Sequence, residues 1–121
     1  MRILAVDFGR KRLGIALSRS GSLVVPLAPL TLTTTDALLS YLRKLITHEQ
    51  IEQLIIGDGI SQPNTRHWLE AIQKNLAIPV ILVDEQSSTN EAQQRLGTTQ
   101  HHADSTAAAI ILERYLEDLL Q

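Results

Sequence analysis

The first eighteen residues constrain the fold more than any other part of the chain. Two apolar runs, Ile3–Val6 and Leu13–Leu17, are separated by a turn that contains Gly9 and three basic residues. Short apolar runs joined by a turn with glycine predict an antiparallel β-hairpin. The second run alternates large and small residues, so one face of that strand is expected to leave room for a helix or a ligand. The large residues are Leu13, Ile15 and Leu17, and the small ones are Gly14, Ala16 and Ser18.

Strand and helix patterns alternate after this hairpin. A third strand is predicted at Leu23–Leu27, at a sheet edge or ending at Pro26, because proline cannot donate to a β-ladder. The later elements follow from apolar spacing and capping residues. They are a helix over Asp36–Gln50, a strand at Ile51–Ile56, a helix from Pro63, a strand at Ile78–Val83, a helix from Ser88 to Leu96 and a last helix from Asp104.

This order of elements predicts an α/β fold with a mixed five-stranded sheet. The first three strands are expected to be antiparallel, and the crossovers should make strands one, four and five parallel. Helices are then expected on both faces of the sheet.

Length and composition limit the classes of protein to consider. With 121 residues, no repeats and no linker, the chain is expected to form a single domain over residues 1–121. No apolar stretch reaches the length of a membrane span, and the absence of cysteine agrees with a reducing compartment. We therefore expect a cytoplasmic protein with no membrane partner. The formal net charge of −2 argues against a broadly basic nucleic-acid binder but leaves room for a local basic patch.

Acidic residues stand where the predicted parallel strands end. These are Asp7, Asp58 and the pair Asp84–Glu85, and Asp104 opens the last helix. The carboxyl ends of parallel strands share one edge of a sheet, where ligands of α/β proteins bind. Clustered carboxylates repel one another unless a cation or a proton joins them. Oxygen ligands without cysteine suit Mg²⁺ or Mn²⁺, and two such ions can promote phosphodiester hydrolysis.

The basic turn next to Asp7 supports the same chemistry. Arg10, Lys11 and Arg12 are placed to hold a polyanion beside the acids. Each feature alone also has a structural explanation, since Asp58 between two glycines suits a turn and a basic hairpin tip is commonly solvated. The combination of an acid cluster and a basic turn favours a metal-dependent nuclease.

Three segments resemble one known family. Asp7–Ser18 is similar to the opening D-x-G-x-K-R-x-G-x-A-x-S of the YqgF (RuvX) family, which is RNase H-like. Asp84–Ala92 resembles its D-E-R-x-[ST]-T-x-E-A segment, and Asp104–Leu116 resembles its D-x-x-A-A-x-I-I-L-x-x-Y-L ending. The resemblance implies an RNase H-like fold and a nuclease that processes the 5′ end of pre-16S rRNA.

The resemblance also implies the residues of the site. Asp7, Glu85 and Asp104 would be the catalytic acids and would bind two Mg²⁺ or Mn²⁺ ions. Arg10, Lys11 and Arg12 correspond to the family's basic turn, as residues that contact nucleic acid.

Three departures from the family pattern keep alternatives open. Gln86 replaces the usual Arg, the loop at Gly57–Asn64 is shorter than the family's, and Gly97–Ala103 lacks the usual basic residues. The alternatives are a Holliday junction resolvase, which would act as a dimer on branched DNA, and a catalytically weakened nucleic-acid-binding or assembly factor. An ATP site of the actin or sugar-kinase type is disfavoured, because such sites need two domains. The sequence does not decide between a monomer and a homodimer.

Overall fold

In the computed structural model, which describes residues 1–9, 12–31, 33–58, 65–84 and 103–119, one mixed sheet carries helices on both faces. The strands are β1 (Ile3–Phe8), β2 (Arg12–Ser18), β3 (Val25–Thr31), β4 (Gln53–Asp58) and β5 (Val80–Asp84). The helices are α1 (Thr35–Glu49), α2 (Thr65–Asn75) and α3 (Ala103–Leu119).

The strand order across the sheet is β3-β2-β1-β4-β5. β1 pairs antiparallel with β2, and β2 antiparallel with β3. β1 and β4 are parallel, as are β4 and β5. The predicted mixed sheet and its three parallel strands are therefore confirmed.

The hairpin between β1 and β2 depends on Gly9. Its N–H donates a hydrogen bond of 2.9 Å to the carbonyl oxygen of Arg12. A Cβ atom at residue 9 would lie 2.8 Å from that same oxygen. No L side chain fits there without movement of the turn, so glycine is required by the close approach of the backbone.

The larger core lies between the sheet and the helices α1 and α2. The alternate residues of β1 and β2 that face these helices are large and buried, and they meet the leucines of α1. The α1 helix starts at an N-cap, Thr34, whose side chain accepts a hydrogen bond of 3.1 Å from the N–H of Ala37. Fully buried members of this core are Leu4, Val6, Leu13, Ile15, Leu38, Leu42, Leu54, Ile56 and Ile72.

The opposite face of the sheet is built from smaller residues, and α3 packs on it. Ala5 and Ala16 belong to the same buried cluster as Ala108 and Ala109 of the helix. Because these side chains are short, the helix can lie close to β1 and β2. The small residues of the second strand thus make room for a helix at Ala16, which was one of the two predicted possibilities.

Several boundaries differ from the sequence prediction. β3 begins at Val25 and continues through Pro26 to Thr31, whereas Leu23–Leu27 was predicted. Its pairing with β2 shifts register between Leu13 and Ile15. β3 is an edge strand of the sheet, where its two prolines are tolerated. β4 and β5 each begin two residues later than predicted. The helix predicted over Ser88–Leu96 lies outside the described residues, and none of the described helices is long and apolar enough to span a membrane.

Candidate active site at the carboxyl-end edge of the sheet

The register of the sheet places Asp7 in a row with two glycines. Asp7 pairs with Gly14 of β2 on one side and with Gly57 of β4 on the other. Gly57 in turn pairs with Val83 of β5. Neighbouring strands are about 4.8 Å apart, so this row spans the centre of the edge where the three parallel strands end. Neither strand next to Asp7 presents a side chain in its row.

The Asp7 side chain belongs to the face of the sheet that α3 covers. Along β1, Leu4, Val6 and Phe8 join the core under α1 and α2, whereas Ile3 and Ala5 join the cluster under α3. Alternation along the strand therefore assigns Asp7 to the α3 face. Asp7 is partly buried, and no side chain among the described residues forms a hydrogen bond or an ion pair with its carboxylate. The oxygen atoms of this carboxylate can therefore accept a cation or a hydrogen-bond donor that is not among the described side chains.

The length of α3 allows its first turn to reach the same edge. The Tyr115 hydroxyl donates a hydrogen bond of 3.1 Å to the side-chain oxygen of Gln53, which pairs with Ile3 at the far end of β1. From Tyr115 back to Asp104 the helix rises about 16 Å, and β1 rises about 13 Å from Ile3 to Asp7. Because α3 packs on β1 and β2, its length is sufficient for its first turn to reach the edge that carries Asp7.

The structure describes the other predicted acids only in part. The register pairs Asp58 with Asp84, one row beyond Asp7, so these backbone positions share the edge as predicted. Glu85 lies outside the described residues. Within the described part of the chain, no group of three or more acidic, histidine or cysteine side chains is close enough to hold a metal ion.

The predicted basic residues are described only in part. Arg12 is exposed at the first position of β2, where it pairs with Thr31 of β3. It therefore lies at the same edge as the end of β1. Arg10 and Lys11 lie outside the described residues.

The opposite end of the sheet carries an ion-pair cluster. The guanidinium group of Arg19 donates two hydrogen bonds, of 2.9 and 3.0 Å, to the carboxylate of Glu49. These hydrogen bonds hold the pKa of Glu49 below its usual range and raise the pKa of Arg19. Arg2 adds a hydrogen bond of 3.1 Å to the Glu49 carbonyl oxygen. These contacts join the end of α1 to the sheet, so their role is structural.

A contact between α1 and α2 at the carboxyl-end edge was not predicted. The His67 ring nitrogen Nε2 lies 3.1 Å from the Thr35 hydroxyl, in hydrogen-bond contact. The sequence signal was the capping pattern at the start of each helix, but spacing alone does not show which helix starts are neighbours. The neighbouring Trp68 is partly buried and packs against the core.

Comparison with solved structures identifies the fold. The fowlpox virus Holliday junction resolvase matches with a TM-score of 0.60 and 16% sequence identity, covering 98% of this chain and 99% of that one. Thermus thermophilus RuvC in complex with a Holliday junction substrate also matches with a TM-score of 0.60, at 14% identity over 99% of this chain and 96% of that one. At such low identity these matches establish the RNase H-like fold alone.

Comparison of sequences identifies the family. The model of the family described as "RuvX: Holliday junction resolvase" matches residues 1–118. A protein of Bordetella pertussis (strain Tohama I) named "Putative pre-16S rRNA nuclease" is 37% identical over 130 aligned residues, covering 98% of this chain and 96% of that protein.

Fold, edge carboxylate and relatives together define the class of the protein, a nuclease of the RNase H-like fold. Within that class, the chain belongs to the RuvX family.

Proposed function

We propose that this chain is a divalent-metal-dependent endonuclease that processes the 5′ end of pre-16S rRNA in the cytoplasm. The whole chain, residues 1–121, acts as one nuclease domain. The observation that carries the proposal is the position of Asp7, a partly buried carboxylate without a described partner, at the edge where the parallel strands end. The name of the Bordetella pertussis relative supports the choice of substrate.

The catalytic acids of the proposal are Asp7, Glu85 and Asp104. Asp7 belongs to the α3 face of the sheet, and the length of α3 allows its first turn, which includes Asp104, to reach the level of Asp7. Val83 shares the Asp7 row through Gly57, and Glu85 follows two residues later in the sequence. The proposal brings these three acids together where β1 and β5 end and where α3 begins.

This donor set fits Mg²⁺ or Mn²⁺. The ligands offered are carboxylate oxygens, which hard divalent cations prefer. A bound ion would also supply the partner that the Asp7 carboxylate lacks among the described residues. Two ions held by these acids would activate a water molecule and stabilise the leaving oxygen of the phosphodiester.

Other residues of this chain would position the RNA at the catalytic acids. Because the residues on either side of Asp7 in its row are Gly14 and Gly57, neither of these two neighbours has a side chain that would block a phosphodiester. Arg12 at the start of β2, with Arg10 and Lys11 before it in the sequence, would contact phosphate groups of the RNA. Such contacts set the register of the substrate without reading its sequence.

A cleavage assay tests the proposal. The protein is incubated with a transcript that joins the 5′ leader to the start of 16S rRNA, with Mg²⁺, with Mn²⁺ or with a chelator. We expect cleavage with either metal and none with the chelator. Metal-dependent binding without any cleavage would instead identify the weakened assembly factor and refute the nuclease.

Resolution of Holliday junctions is the second candidate, favoured by the description of the family model. A resolvase needs two active sites on one symmetric junction and hence a dimer. The same assay with a four-way DNA junction, together with sedimentation of the protein with and without that junction, separates the two. Symmetric cleavage of the junction by a dimer, with no cleavage of the transcript, would overturn the rRNA role.

A further inference from the structure

One hydrogen bond ties α3 to β4, the strand next to β1. The Tyr115 hydroxyl, near the carboxyl end of the helix, donates to the side-chain oxygen Oε1 of Gln53 at 3.1 Å, and this contact is partly buried. Gln53 is the first residue of β4. Elsewhere α3 packs mainly on β1, β2 and β3, so this hydrogen bond connects the helix to a further strand of the sheet.

The acceptor of this hydrogen bond has a fixed place relative to Asp7. Gln53 pairs with Ile3 of β1, and four residues further along the same two strands Gly57 pairs with Asp7. Because the two strands are held in register, the row of Gln53 lies about 13 Å along the strands from the row of Asp7. A helix anchored at Gln53 is therefore anchored relative to the proposed catalytic carboxylate.

The rest of the interface restrains α3 less specifically. Its buried side chains are apolar, and several are alanines: Ala5 and Ala16 of the sheet, Ala108 and Ala109 of the helix. Burial of apolar surface stabilises such a contact but has no preferred direction. A hydrogen bond, in contrast, needs its donor and acceptor at a defined distance and angle. The Tyr115 hydroxyl is therefore suited to limit how far α3 slides or rotates on the sheet.

The first turn of the same helix contains Asp104. From Tyr115 to Asp104 the helix rises about 16 Å, and backbone hydrogen bonds link each turn to the next. A displacement at Tyr115 is thus passed along the helix to Asp104. A misplacement of about 1 Å at a reacting centre can lower a rate about a hundredfold, so even a small slip of α3 would affect catalysis.

We propose that Tyr115 is a positioning residue of the nuclease. Its hydrogen bond to Gln53 sets the register of α3 on the sheet and, through the helix, the place of Asp104. Tyr115 acts near the end of the helix opposite to Asp104 and is not itself a catalytic residue. This inference rests on the proposed function, which makes Asp104 a ligand of the divalent ion.

Removal of the hydroxyl alone tests the proposal. Tyr115→Phe keeps the ring, which packs against the buried cluster under α3, and loses the donor. Single-turnover cleavage of the transcript is measured at saturating Mn²⁺ over a range of protein concentrations, below the Tm of each variant. We expect Y115F to lower the maximal rate about tenfold and to leave the half-saturating concentration unchanged. A folded protein that is merely less stable would keep its maximal rate.

Binding of Mn²⁺ is a second readout, which needs no cleavage. It is measured by titration calorimetry on the protein without RNA. Residues that orient metal ligands affect the affinity for the metal, and losing one commonly costs about tenfold or more. We expect Y115F to bind Mn²⁺ about tenfold more weakly than the unmutated chain.

Variants of Gln53 test whether the hydrogen bond is responsible. Gln53→Leu removes the acceptor and should lower the rate as much as Y115F does. The double variant Y115F/Q53L should be no slower than either single variant, because both changes remove the same interaction. Gln53→Glu keeps an oxygen acceptor and should cleave like the unmutated chain.

Tyr41→Phe is the matched control. Tyr41 is also partly buried, and it packs against the core on the other face of the sheet. Among the described residues, its hydroxyl has no hydrogen-bond partner. The change removes the same chemical group away from α3, so we expect Y41F to cleave the transcript and bind Mn²⁺ like the unmutated chain.

Two failures can be told apart. If the unmutated chain cleaves the transcript but Y115F matches Y41F in rate or in Mn²⁺ affinity, or if the effects of Y115F and Q53L add, the positioning role is wrong and the nuclease proposal stands. If the unmutated chain does not cleave, the proposed function fails and the positioning role fails with it. Thermal unfolding shows which variants are folded at the assay temperature, and Q53L carries the comparison if Y115F is not.

Discussion

Replacing Asp7 by Asn separates activity from stability at the proposed site. The backbone of residue 7 is held by its pairing with Gly14 and Gly57, and these pairings do not involve the carboxylate. No described side chain bonds to that carboxylate, so an amide of the same size breaks no described side-chain contact there. We therefore expect D7N to change the free energy of unfolding by no more than about 1 kcal/mol, because changes without a broken contact are small.

The effect on catalysis should be much larger. A metal ion contributes several kcal/mol to a phosphodiester hydrolysis, and losing about 3 kcal/mol lowers a rate more than a hundredfold. We expect D7N to lose at least that much Mg²⁺-dependent cleavage. A stability change of 1 kcal/mol corresponds to a shift of the midpoint by about 4 °C for a chain of this size, so the folded fraction at 25 °C stays close to one.

The assay has two readouts and one control. Cleavage of the transcript is measured under single-turnover conditions, and thermal unfolding is followed with and without Mn²⁺. At ten times its dissociation constant, the ion should stabilise the unmutated protein by about 1.4 kcal/mol and should not stabilise D7N. Asp118→Asn, an exposed acid near the other end of α3, should behave as the unmutated chain in both readouts. A D7N protein that keeps most of its cleavage removes Asp7 from the mechanism.

Three further predictions concern the fold. Gly9→Ala should lower the free energy of unfolding by about 1–3 kcal/mol in a urea titration, because the added Cβ would lie 2.8 Å from the Arg12 carbonyl oxygen. An unchanged urea midpoint would show that the turn adapts to the side chain without cost. Leu42→Ala, in a fully buried position of α1, should cost about 2–5 kcal/mol, and a loss below 1 kcal/mol would mean that the core closes around the cavity. Arg19 holds the pKa of Glu49 below its usual range. This ion pair therefore stabilises the fold at a pH above the unfolded pKa of Glu49, and the stabilisation is lost as the pH falls through its folded pKa. R19Q should flatten the decline of Tm below about pH 4.5, and a decline equal to that of the unmutated chain would contradict this.

Much of the fold follows from local patterns. The apolar run of β1, the turn at Gly9 and the alternation of β2 predict the hairpin, and the observed pairing of Ile3 with Ser18 agrees with it. The helical crossovers before β4 and β5 then predict that β1, β4 and β5 are parallel. The ends of β3 were less predictable, because its length is set by pairing with β2 across a register shift and not by its own sequence.

The site was predictable in outline and not in detail. Asp7 at the end of an apolar strand identifies the edge, since strand ends can be found from sequence. Its row partners, Gly14 and Gly57, depend on register between strands, which local patterns do not determine. The contact of Thr35 with His67 depends on the packing of two helices distant in sequence.

The central claim is that Asp7, Glu85 and Asp104 share a divalent ion. Crystals of the protein soaked in Mn²⁺ test it directly, because the anomalous signal locates the ion. We predict an ion about 2.1 Å from a carboxylate oxygen of Asp7, with oxygens of Glu85 and Asp104 coordinating the same ion or its neighbour. An ion bound elsewhere, or these three carboxylates too far apart to share one at saturating Mn²⁺, would contradict the account.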